Sequence, residues 1–263
     1  MKYSETKPES DCVQYIECYW QFHADNIPEG MPTHVIVPDG AVSLSYILLP
    51  NKKAFVSLTG PSLKAHKVSL VPGAVYAGIR ILPGIAGSVL GANISDYRDM
   101  FGPQVEQLPQ LVKLMQEQIP DPVTQAELPQ LLHAATQLIA EHAEPLDDAV
   151  RQFAKSIMQA DGNANLADLS ASLGVGLRQL RRRFKIQCGL TPKEFSRLRR
   201  VRKACIYLLA HQDLPLAVTA SQAGFSDQAH MSREFSDVFE NSTKLVEEYL
   251  KQIAHGTLVE SAG

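Results

Sequence analysis

One pattern constrains this chain more than any other: a helix, a short glycine-bearing turn and a second amphipathic helix occur twice in its C-terminal part. The first copy reads Leu166-Ala-Asp-Leu-Ser-Ala-Ser-Leu173, then Gly174-Val175-Gly176, then Leu177 to Gln187. The second reads Leu216-Ala-Val-Thr-Ala-Ser-Gln-Ala223, then Gly224-Phe225-Ser226, then Asp227 to Phe239. Gly224 takes the place of Gly174, and Phe235 that of Phe184. Apolar residues at helical spacing must be buried on one face, and two such helices across a tight turn make a helix-turn-helix unit. A single copy is compatible with chance, whereas an internal duplication commits the chain to an all-helical C-terminal domain. Between the copies, Gly189-Leu190-Thr191-Pro192 supplies a stop, a cap and an N1 proline for a helix running to about Ala210. At about 1.5 Å per residue this connecting helix is on the order of 28 Å long.

The formal net charge of -3 conceals a strong segregation. Residues 1–165 carry 11 Lys+Arg against 18 Asp+Glu, and residues 204–263 carry 3 against 8. Residues 166–203 invert the balance with 11 against 2, from Arg178, Arg181, Arg182, Arg183, Lys185, Lys193, Arg197, Arg199, Arg200, Arg202 and Lys203. These cations alternate with apolar anchors at Leu177, Leu180 and Phe184, then at Phe195, Leu198 and Val201, so the block is folded and amphipathic. A rigid, arginine-rich surface suits a polyanion, because the guanidinium fork binds phosphates and guanine edges bidentately. In the first copy Leu180 and Phe184 anchor the helix and leave Arg178, Arg181, Arg182 and Lys185 outward. In the second, Met231 and Phe235 anchor it while Gln228, His230, Ser232 and Arg233 project. The connecting helix approaches the roughly 34 Å of one B-DNA turn, so one chain can reach successive major grooves.

The N-terminal half reads differently. Turn signals at Pro28-Glu29-Gly30, Pro38-Asp39-Gly40, Gly60-Pro61, Val71-Pro72-Gly73 and Pro83-Gly84 separate short apolar runs at 18–22, 33–37, 42–49, 54–58 and 75–81, which predict strands. Beyond Gly84 the spacing becomes helical, around 108–115, 128–139 and 147–159. The expected fold is therefore α+β: a mixed β-rich and helical domain over 1–145, then an all-α domain over 146–255 with its helix-turn-helix units near 166–187 and 216–239 and a linker helix near 192–210. Tyr19 and Trp20 read as strand core. His34, Tyr46, Tyr76 and Arg80 are the side chains an effector pocket in these strands would draw on, although no effector-binding residue is assigned. The stripe Leu128, Leu131, Leu132, Ala135, Leu138 and Ile139 reads equally as core or as a dimer seam.

Other chemistries lack their residues. Cys12, Cys18, Cys188 and Cys205 form no CxxC pair, no HExxH occurs, and the glycines at 84, 87 and 91 precede no Gly-Lys-Ser/Thr, so no metal, cofactor or catalytic residue is expected. The longest apolar stretch, Ala41 to Leu49, is far short of the roughly 20 residues of a bilayer span. The first residues carry no secretory pattern, and a cytoplasmic protein without a membrane partner is expected.

The segments Leu173 to Phe184, Gly189 to Phe195 and especially Ala223-Gly224-Phe225-Ser226-Asp227-Gln228-Ala229-His230-Met231-Ser232-Arg233-Glu234-Phe235 resemble the AraC/XylS family of bacterial transcription regulators. Val37 to Gly40, Gly60-Pro61 and Gly78 to Gly84 resemble an uncharacterised domain attached to such regulators. The resemblance implies a sequence-specific, promoter-binding protein whose N-terminal domain senses a signal, dimerises, or both. Double-stranded promoter DNA is the implied partner; RNA polymerase, a small-molecule effector and a second copy of the chain are the further partners this allows. By position, Arg178, Arg181 and Arg182 correspond to contact residues of the first recognition helix, and Gln228, His230 and Arg233 to those of the second. Two departures stand out: Gly176 replaces the usual hydroxyl cap, and Glu240 and Thr243 replace the glycine and proline expected after the second recognition helix, which puts acid near the DNA face. The rival reading is a DNA repair or modification protein that uses the helical domain for targeting.

Overall fold

The turn-bounded apolar runs form strands β1 (Lys2–Thr6), β2 (Ile16–His23), β3 (Thr33–Ile36), β4 (Ser43–Leu48), β5 (Ala54–Thr59), β6 (His66–Ser69) and β7 (Val75–Ile81). Helices α1 (Ala86–Leu90), α2 (Gln110–Glu117), α3 (Leu128–His142), α4 (Asp148–Gln159), α5 (Leu166–Ser172), α6 (Leu177–Cys188), α7 (Pro192–Ala210), α8 (Leu216–Ala223), α9 (Gln228–Phe239) and α10 (Thr243–Ala254) follow. The structure, a computed structural model, describes residues 2–254 except 9–11, 26, 28–32, 103–107 and 212–213. The expected turn at Pro28-Glu29-Gly30 and the expected domain end at residue 255 lie outside the described residues. The α+β class and the order of strands before helices are as the sequence predicts; β1, β6, α1 and α10 are additions.

The strands pair into a five-stranded antiparallel sheet, β1-β2-β7-β4-β5, and a separate β3–β6 ribbon. Side chains alternate across the large sheet. Leu44, Tyr46, Leu48, Val56, Leu58 and alternate residues of β7 are buried with α1, α2 and α3, whose 128–139 stripe is core here. Tyr46 belongs to that face: its hydroxyl donates to the Leu131 carbonyl at 3.3 Å, so it is not one of the pocket residues the strand run suggested. The opposite face carries Trp20, Phe22, Ser45, Phe55, Tyr76 and Arg80 and is roofed by the β3–β6 ribbon. Gly78 keeps that floor open, because a Cβ there would sit 2.7 Å from both the Trp20 ring and the Leu44 carbonyl.

The helical domain has two cores that share α7. Val150, Phe153, Leu180, Phe184 and Phe195 form one, with Phe184 edge-on to Phe153 and tilted against Phe195 at centroid distances of 6.0 and 5.5 Å. Leu198, Val201, Leu208, Ala220, Met231, Phe235 and Val246 form the other. Local chemistry fixes the helix starts: the side chains of Asp147, Asn165 and Asp227 accept N-terminal amides of α4, α5 and α9, and Thr191 with Glu194 forms a reciprocal capping box before Pro192.

The two halves are packed together at the Pro38-Asp39-Gly40 turn. Gly40 has φ of 78°, and a Cβ there would lie 2.5 Å from Cδ2 of Phe195 on α7. Changing Gly40 to Ala therefore adds left-handed strain to overpacking, and is expected to cost about 2–4 kcal/mol. Denaturant unfolding of the full chain checks this; a loss below about 0.5 kcal/mol would mean that the turn is not held against α7.

Candidate nucleic-acid interface

On α6 the helical phase separates an apolar face from a cationic one. Leu180 and Phe184 are fully buried, while Arg178, Arg181, Arg182 and Lys185 are exposed. Among the described residues none of these four cations forms an ion pair. Gly176 does stand at the N-cap, where no side chain accepts the first amides. The helix is held from behind: Arg183 Nε donates to Asp147 Oδ2 at 2.6 Å, tying α6 to the start of α4. Its C-terminal end is fixed to the N-terminal domain. Gln187 Oε1 accepts the Ser88 amide at 2.9 Å, and Ser95 Oγ donates to the Lys185 carbonyl at 3.2 Å.

On α9, Met231 and Phe235 are fully buried, and Gln228 and Arg233 are exposed. Ser232 is half-buried. His230 is engaged locally: Nδ1 shares a hydrogen bond with Ser226 Oγ at 3.1 Å, Nε2 lies 3.6 Å from Glu234, and the ring meets Phe225 edge-on at 5.4 Å. Its role in ordering the turn is visible in these contacts. Glu240 does not blur the end of the helix. It adopts the left-handed C-cap conformation itself, with φ of 55°, and its carboxylate is turned toward Lys64 of the N-terminal domain at 3.7 Å.

The basic block is less uniform than its composition. Arg197 on α7 pairs with Glu234 and Asp237 of α9, Arg200 donates to the Gly162 carbonyl at 2.7 Å, and Lys203 lies 2.9 Å from Asp161. Arg199 and Arg202 turn toward Glu17 and Glu5, at 3.8 and 4.0 Å. The α7 cations therefore hold the molecule together, which narrows the outward-facing basic surface to α6 and Lys193. Arg199 betrays this in the sequence: it follows Phe195 by four residues and so shares its buried face, where it stacks on the ring at 5.9 Å.

In the N-terminal domain, between the large sheet and the β3–β6 ribbon, lies a cavity of about 340 Å³. His34, Tyr76 and Arg80 line it, as does Trp20, which the strand pattern assigned to the core. At its inner end Arg80 donates to Glu5 at 2.9 Å and to Tyr3 Oη at 3.3 Å, while its Nε lies 3.0 Å from Asp39 without an aligned hydrogen bond. Burial favours the neutral form of Asp39, but the Arg80 guanidinium, backed by Arg202 and Arg199, holds its carboxyl below the usual range. Burial lowers His34 to about 4 and also lowers His66, so both rings are neutral near pH 7. The ribbon that roofs the cavity also touches the second unit: Val35, Val37, Leu63 and Ala65 pack on its core, and the Ala65 amide donates to the Val238 carbonyl of α9 at 2.8 Å.

The cysteines are all free thiols; burial raises Cys18 and Cys205 to about 12 and also raises Cys188, which leaves them protonated and unreactive. Among the described residues no group of three or more His, Cys, Asp or Glu side chains converges on a metal-sized site, and no helix is long and apolar enough to cross a membrane.

Residues 169–246 match the family model of a helix-turn-helix domain, and residues 4–103 match a domain of unknown function, DUF6597. No curated protein matches. Among solved structures the chain is similar to ToxT of Vibrio cholerae: 12% identity and a TM-score of 0.43 over 95% of this chain and 98% of that one. A second ToxT structure, with a bound unsaturated fatty acid, gives 14% identity and 0.42 over 87% and 93%. With a helix-turn-helix domain placed behind a DUF6597 domain, the chain is a DNA-binding transcription regulator.

Proposed function

We propose that the chain controls transcription by laying α6 and α9 in successive major grooves on one side of promoter DNA, with residues 146–255 as the binding domain and residues 1–145 as its sensor. Arg178, Arg181, Arg182 and Lys185 serve the first groove; Gln228, Ser232 and Arg233, with His230 ordering the turn, serve the second. The observation that carries this reading is the exposed cationic face of α6, whose opposite face is locked into a core of three phenylalanines. A gel-shift titration on the DNA flanking its own gene tests it. Four phosphate contacts alone give a slope of log affinity against log salt of about -4. A slope near zero, or no specific shift, would sink the proposal.

The N-terminal domain supports a sensing role through its attachments. The α1 side of its large-sheet layer holds the end of α6, while the β3–β6 ribbon holds the end of α9. The cavity lies between sheet and ribbon, so a ligand that changes their spacing changes the placement of one recognition helix relative to the other. Changing Ala65 to Pro removes the amide that reaches Val238. Nuclease footprinting is expected to show weaker protection of the second half-site, with about a three- to tenfold loss of affinity, and an unchanged first half-site. Uniform weakening of both halves would argue against this route.

A further inference from the structure

We infer that the cavity of the N-terminal domain takes an uncharged, ring-bearing small molecule with a few hydrogen-bonding substituents. The inference rests on the effector reading above. Among the described lining residues, only Asp39 and Arg80 carry full charge near neutral pH, and they face each other across 3.0 Å. Arg80 has a second acid in Glu5 at 2.9 Å, so its positive charge is fully matched before any ligand arrives. A carboxylate or phosphate would find no available cation, and an ammonium group no available carboxylate. Burying such a charge without a partner costs several kcal/mol, more than the apolar contacts of a small frame return. The two lining histidines, held neutral by burial, add hydrogen-bonding groups without charge.

The remaining wall describes what does fit. The Trp20 ring lies over Gly78, and Phe22, Phe55, Tyr76 and Phe101 present further ring surface. His34 stacks on Phe22 at 4.9 Å and His66 on Phe101 at 5.0 Å, so the ribbon side is also flat and aromatic. Ser43, Ser57 and Thr59 form a row of hydroxyls along β4 and β5 that can pair with hydroxyl, carbonyl or amide substituents. This is the wall of a site that selects by ring contact and neutral hydrogen bonds.

Trp20 is the only tryptophan in the sequence, so its emission reports on this cavity alone. The test titrates the full chain with matched probes that differ only in charge, namely the carboxamide, carboxylate and methylammonium derivatives of 4-butylbenzene and of biphenyl. The amides are expected to change Trp20 emission at concentrations at least about tenfold below their charged analogues. A carboxylate or ammonium that binds as tightly as its amide overturns the inference. Silence of all six probes, with the protein folded, overturns instead the reading of the cavity as an effector site. Changing Glu5 to Gln removes the acid that Arg80 shares with Arg202, leaves the two guanidinium groups with Asp39 alone, and should improve carboxylate binding by about tenfold relative to the unaltered chain. No gain there would show that the pairing of Arg80 is not what excludes anions.

Discussion

Changing Arg178, Arg181 and Arg182 together to Ala is expected to reduce promoter binding to the level of unrelated DNA. Each side chain that reaches a base edge contributes about 1–3 kcal/mol. If the three act independently the loss is about 3–9 kcal/mol, which spans most of the roughly 4–10 kcal/mol separating specific from non-specific binding. The fold should survive, because the three lie on the exposed face of α6 and their surface substitutions are worth about 0.5 kcal/mol or less each. Competition gel shifts, run beside thermal melts of the same variant, measure both quantities. Retention of binding within a factor of about three would remove α6 from the DNA face. The same changes made at Arg197, Arg199 and Arg200 should do the reverse, lowering stability first, because those cations are held by Glu234, Asp237, Glu17 and the Gly162 carbonyl.

That contrast marks how far the amino-acid sequence could be read. The helix-turn-helix units were legible because local rules set them: anchors at Leu180 and Phe184, or Met231 and Phe235, recur at the helical period, and the caps at Thr191 and Asp227 lie within three residues of the amides they bind. What was not legible depends on contacts between distant segments. Strand β1 is polar and shows no alternation; it is identified only by pairing with β2 and by the Glu5–Arg80 contact. Strand β6 has one apolar residue in four and exists because β3 lies beside it. The partners of the α7 arginines are similarly remote, so a composition count overstated the basic surface. Glu240 looked like an acid aimed at DNA until Lys64, supplied by the other domain, came next to it.

Asp39 shows the same limit with the largest consequence for stability. In the sequence it is the middle of a turn; in the structure it is a largely buried carboxylate that accepts the Ala41 amide at 2.9 Å, faces Arg80, and lies one residue before the Gly40 contact with α7. Changing it to Ala removes one member of a largely buried ion pair but leaves Arg80 with Glu5, so the expected loss is about 3 kcal/mol, at the low end for such pairs. Changing it to Asn keeps an acceptor for the Ala41 amide and should cost less. The pH dependence separates the charge from simple packing. The carboxyls of Asp39, Glu5 and Glu194 are all held below their ordinary values in the folded chain, against the opposing effect of burial, by the neighbouring guanidinium groups of Arg80 and Arg98 and by hydrogen bonds. A depressed carboxyl stabilises the fold fully above its unfolded value near pH 4, and that stabilisation is lost as pH falls through the lower folded value. The unaltered chain should therefore lose stability steeply below about pH 4, and the Asp39 to Ala variant less steeply, since one of the three groups is gone. Denaturant melts between neutral and acid pH test both statements. Equal stability at pH 7, or equal acid slopes, would show that the Asp39–Arg80 pair does not hold the Pro38–Gly40 turn to the large sheet.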